Sequence, residues 1–174
     1  MRLRRFSQVM LGILLIQGLL LLGTGLAQPK KPACGPDHAI LYKRAVHLLD
    51  KADKKLAGKY TAEAKALLKE ANSLFTILLK ECGPQQKERT LTPQEAQQEA
   101  VNKKLAADSL ASAERLQKDA TAKLKKSEQT PQRELAVKYA REAKGEFEQA
   151  QIRSIKAGLY SLRNQQLIFR FLAK

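Results

Sequence analysis

Two Cys-Gly-Pro tripeptides constrain this chain more than any other feature. They begin at Cys34 and Cys82, the only cysteines in 174 residues. Each stands at the end of an apolar-periodic run. Cys34 precedes a helix predicted over Asp37–Ala57, and Cys82 ends a second predicted over Thr61–Cys82. In an antiparallel hairpin those two points lie side by side. In an oxidising compartment an even pair is most simply a disulfide. Closing a loop of 48 residues stabilises a fold by ~4 kcal/mol in the chain-entropy treatment. The competing readings are a redox pair or a metal site. Neither has CxxC spacing or an accompanying histidine cluster to support it.

The compartment follows from Met1–Ala27. Arg2, Arg4 and Arg5 form a basic start, and Val9–Leu22 is apolar except at Gly12, Gln17 and Gly18. Gly25-Leu26-Ala27 places small residues where a signal peptidase reads. Residues 1–27 are therefore expected to be a secretory signal cleaved after Ala27. Left uncleaved, Val9–Ala27 would be a membrane anchor, with the arginines on the cytosolic side in either case. The expected location is periplasmic or secreted, or membrane-anchored if uncleaved, in a bacterial envelope. Cleavage removes three arginines, taking the formal charge from +15 to +12.

No strand alternation or hairpin turn signal follows. The expected fold is all-α, two antiparallel helical hairpins of four helices in total. Residues 28–36 read as a flexible leader and 37–83 as the disulfide-tied hairpin. Residues 84–91 read as a linker and 92–174 as a longer, alanine-rich hairpin. In helix one, Asp37 is the expected N-cap and Gly58 the expected glycine beyond the C-cap. Helix two repeats Ala64, Ala71 and Leu78 every seven residues. Leu67/Leu68 and Leu74/Phe75 lie between them, a 3-4 core pattern, and Gly83-Pro84 reads as its end.

Thr92-Pro93-Gln94-Glu95 is a capping box with proline at the first helical position. Helix three is predicted to about Glu128, with Ala106, Leu110, Ala113, Leu116, Ala120 and Leu124 as its stripe. Thr130-Pro131 opens helix four, with Gly145 or Gly158 as possible bends. Glu70–Phe75 resembles Glu142–Phe147, which leaves duplication and convergence both open. At 1.5 Å per residue, helices three and four reach ~50–60 Å and helices one and two only ~30 Å. Either the long pair breaks or its far end projects.

An enzyme is hard to build from these residues. His38 and His47 are nine apart, about 180° around one helix, so they cannot share a metal within a monomer. No HExxH, nucleophile elbow, phosphate loop or CxxCH is present. A non-enzymatic protein without cofactor or metal is expected.

The charge is the chemically directed feature. No acid follows Glu148, and Arg153, Lys156, Arg163, Arg170 and Lys174 are the only charged side chains among the last 26 residues. They run beside Ile152, Ile155, Leu159, Leu162, Phe169 and Phe171. Such a basic amphipathic segment is expected to contact an anionic membrane or cell-wall surface, or an envelope protein. The alternative is that its apolar side packs internally while the arginines reach outward. Nucleic acid is an unlikely partner for an exported chain without a binding module. The expected role is a structural or interaction protein of the periplasm or envelope. The alternatives are an oligomeric, holdase-like periplasmic chaperone and, third, a helical bundle holding a small ligand or metal.

Overall fold

Proline and glycine set where the first helix begins. The computed structural model describes residues 34–86 and 90–173, and there α1 runs Pro36–Ala57. Gly35 rather than Asp37 is the N-cap. Pro36 falls at the first helical position, where its missing N–H costs nothing and its fixed φ suits the helix. His38 reaches back to complete the cap, its Nδ1 accepting from the Gly35 N–H at 3.1 Å. The expected export signal, residues 28–33 of the leader and Lys174 lie outside the described residues.

α1 ends in a Schellman motif. The Tyr60 N–H donates to the Lys55 carbonyl at 2.9 Å and the Lys59 N–H to that of Leu56 at 3.1 Å. The left-handed position belongs to Lys59, at φ 63°, and not to Gly58, which sits at φ −79°. A side chain at 58 would instead require the exposed Tyr60 ring to shift. A Cβ there would lie 2.9 Å from two carbons of the Tyr60 ring.

α2, Thr61–Gln86, returns antiparallel to α1. Its 3-4 pattern is the core: Ala64, Leu68, Ala71, Leu74, Phe75, Leu78 and Cys82 are buried. They face Ala45, Leu48, Leu49, Ala52 and Leu56 of α1. The helix continues past Gly83-Pro84 to Gln86, beyond the expected end. The Cys34–Cys82 disulfide ties the pair, with Cα atoms 5.3 Å apart, inside the range such bridges need.

α3, Pro93–Gln129, and α4, Arg133–Ile168, form the second hairpin. The capping box is made in full: the Thr92 N–H donates to Glu95 at 2.8 Å, and the Glu95 N–H donates to Thr92 Oγ1 at 3.3 Å. Neither Gly145 nor Gly158 interrupts α4. Helices of 37 and 36 residues run ~55 Å each at the standard rise. A 3-10 turn, Arg170–Ala173, follows.

The two hairpins meet through α4. Ile155, Leu159, Leu162, Phe169 and Leu172 are buried in the core with α1 and α2. Phe169 is wholly buried and stacks on Phe75, their ring centres 6.5 Å apart. The Tyr42 hydroxyl donates to the Gln166 carbonyl at 3.2 Å. Burial pushes its phenol above the usual range, and only the nearby Arg170 charge opposes this.

α3 packs on α4 and is not a neighbour of α1 or α2. Its inward positions recur with 3-4 spacing: Asn102, Ala106, Ser109, Ala113, Leu116, Ala120, Lys123 and Ser127 are all buried or half-buried. The expected stripe is thus partly displaced, since Leu110 and Leu124 are 49% and 41% exposed. Alanine and serine make up most of this seam, with Asn102, Leu116 and Lys123 among them, so hydrophobicity alone does not mark it. The buried residues of α4 before Ile152 are Ala143 and Ala150, which belong to that seam and not to the core with α1 and α2. The distal halves of α3 and α4 therefore project as an arm.

Candidate functional site

Two basic residues of the C-terminal segment, Arg163 and Arg170, are engaged within the molecule. The Arg163 guanidinium donates to Asp50 at 2.8 Å and to Gln166 at 2.8 Å. Arg170 pairs with Glu95 and donates to the carbonyls of Leu167 and Thr90 at 3.0 and 3.2 Å. It thereby ties the tail to the cap of α3. Arg153 is exposed and Lys156 half-buried. Ile155, Leu159, Leu162 and Phe169 are buried, while Ile152 and Phe171 pack against the core from its edge. Of the expected basic contact residues that are described, Arg153 is the one fully at the surface.

An apolar groove opens elsewhere. It lies between α2 and α3 with α4 as its floor, and encloses about 480 Å³. Leu68, Leu110, Ala113, Phe147, Ile155 and Gly158 line it. It exists because α3 rests on α4 alone and leaves a gap beside α2. Leu110 and Phe147 reach it while 49% and 37% exposed. Phe147 is the counterpart of Phe75 in the sequence likeness noted above. Phe75 is buried in the core, whereas Phe147 stands at the groove. The groove was not legible in the sequence, because it depends on a contact that α3 does not make.

Along the arm, Lys123 bridges to α4 at 2.5 Å from Glu146 and 3.4 Å from Glu142. The hydrogen bond to Glu146 holds its ammonium above the usual lysine range. Ser127 donates to the Ala136 carbonyl at 2.9 Å. Lys126 lies 4.6 Å from the centre of the Tyr139 ring near the tip, a cation–π placement.

A third grouping surrounds the disulfide. Ligand-type atoms of Cys34, His38 and Cys82 lie within 4.8 Å of one another. The His38 Nε2 is 2.7 Å from Glu81 Oε2, and the histidine side chain is only 12% exposed. The spacing of His38 from His47 said nothing of this neighbourhood. The available signal was the interval from Cys34 to His38, one helical turn, opposite the end of α2 that carries Cys82 and Glu81.

No family model matches the chain, and comparison with curated proteins and with solved structures likewise finds no match. Among the described residues, no helix is long and apolar enough to cross a membrane. The disulfide fits an oxidising compartment.

Proposed function

We propose that this is an exported, non-enzymatic helical protein of a bacterial periplasm or cell envelope. In this reading it binds an envelope protein along the groove and arm of its second hairpin. The observation that carries the reading is that, among the described α-helices, α3 packs on α4 and on neither α1 nor α2. That arrangement leaves Leu68, Leu110 and Phe147 converging on one open groove. Apolar side chains scattered singly on a surface need no explanation; several gathered in one concavity mark a contact site. Export is supported by the Met1–Ala27 pattern together with a disulfide between the only two cysteines. The contact moves from the basic C-terminal helix to the arm, because Arg163 and Arg170 already hold Asp50 and Glu95.

Site-specific photocrosslinking in cells tests this. A photoreactive side chain at Leu110 or Phe147 should give discrete higher-mass adducts. The same group at His47, exposed on α1, should not. Equal adducts from all three positions, or none from the groove, would sink the reading.

A further inference from the structure

The Cys34–Cys82 neighbourhood holds more than a staple needs. A disulfide makes no demand on adjacent histidines, yet ligand-type atoms of His38 and both sulfurs lie within 4.8 Å of one another, and His38 is half-buried. Its two ring nitrogens are held differently. Nε2 lies 2.7 Å from the Glu81 carboxylate and so carries the proton. Nδ1 accepts the Gly35 N–H at 3.1 Å, so its lone pair points inward toward the start of α1. A carboxylate on the far nitrogen of a ligating histidine fixes its tautomer and raises its basicity. Glu81 thus stands where the supporting carboxylate of a ligating histidine would stand, while Nδ1 caps α1 and would have to give up the Gly35 N–H to bind a metal.

We propose that reduction of the disulfide converts this cluster into a zinc site, with Cys34 Sγ, Cys82 Sγ and His38 Nδ1 as ligands and water in the fourth position. A dithiol supplies the two electrons and two protons that open the S–S bond and is itself oxidised to a disulfide. Zinc then displaces one proton from each thiol, so binding releases two protons and forms two Zn–S bonds. Two thiolates on one tetrahedral zinc stand roughly 3.8 Å apart. Side-chain rotation reaches that separation with the Cα atoms at 5.3 Å. Nδ1 exchanges the Gly35 N–H for the metal, and Nε2–H keeps Glu81. In the oxidised chain the sulfurs are consumed by their mutual bond, so the site is closed. The proposal is independent of the groove and of any partner bound there.

The test uses the full chain, reduced with a dithiol, freed of reductant under anaerobic conditions and titrated with Co²⁺ and then Zn²⁺. One cobalt per chain should bind with thiolate-to-cobalt charge-transfer absorption, and an equivalent of zinc should abolish it. The oxidised chain should give no such absorption. His38→Ala should weaken binding more than tenfold and Glu81→Gln by about tenfold. Circular dichroism should show the helices retained on reduction. If reduction unfolds the chain instead, zinc must restore the helical signal. Absence of the charge-transfer band, a His38→Ala variant that titrates like the parent, or failure of zinc to restore lost helix would each overturn the proposal.

Discussion

Lys59 occupies the one left-handed backbone position among the described non-glycine residues. An L side chain there costs roughly 1–2 kcal/mol. Part of that is returned by the greater freedom glycine has when unfolded. Lys59→Gly should therefore stabilise by about 0.5–1 kcal/mol, measurable by thermal denaturation. Gly145 is the opposite case: it lies mid-helix, and a Cβ there would meet nothing within 4 Å. Gly145→Ala should stabilise by about 1 kcal/mol, and an unchanged melting temperature would contradict the open space around it. The sequence placed the expected left-handed glycine one residue early, because the Gly58 backbone is indistinguishable in composition from a C′ glycine. The Tyr60 ring that lies against Gly58 is visible only in three dimensions. Glu95 adds a pH dependence. The Thr92 N–H bond holds its carboxyl below the usual range, helped by the Thr92 hydroxyl and Arg170. A depressed folded value means stability that is present above the unfolded value, near pH 4, and lost as pH falls through the folded one. The melting temperature of Glu95→Gln should lie below the parent's at pH 7, and the gap should close in acid.

At the scale of the helix, α2 was the most legible element and α3 the least. The core of α2 is large and apolar, so the recurrence of Ala64, Ala71 and Leu78 names its buried face directly. The α3 seam does not follow hydrophobicity. Asn102 and Ser109 are buried, while Leu110 and Leu124 turn outward, and a hydrophobic stripe drawn through the leucines lands partly off the seam. Lys123 enters the seam because Glu142 and Glu146 wait on α4, a partnership no single helix reveals. The C-terminal segment reads as amphipathic from either viewpoint; what the sequence left open is which body its apolar side meets. Phe169, wholly buried against Phe75, makes it part of the core. Phe169→Ala should cost ~3–5 kcal/mol, read as a fall in the denaturant midpoint. A loss below 1 kcal/mol would mean that the tail is not packed.

For the molecule as a whole, stability is unevenly distributed. The disulfide, α1, α2 and the second half of α4 share one apolar core, whereas the arm is held by alanines, polar contacts and ion pairs. Amide exchange should be slowest in α2 and in α4 beyond Ile155, and fastest near Gln129 and Arg133 at the tip. Reducing the disulfide in the absence of metal should lower unfolding free energy by up to ~4 kcal/mol and leave that ordering intact. The dependence of α3 on α4 alone has a geometric consequence. Adding or removing seven residues in each helix of the arm preserves the 3-4 register and disturbs no residue of the core. Each such step changes reach by about 10 Å. The hairpin is in effect a ruler whose length is set separately from the body that carries it, and the distance it spans is open to adjustment without refolding the rest.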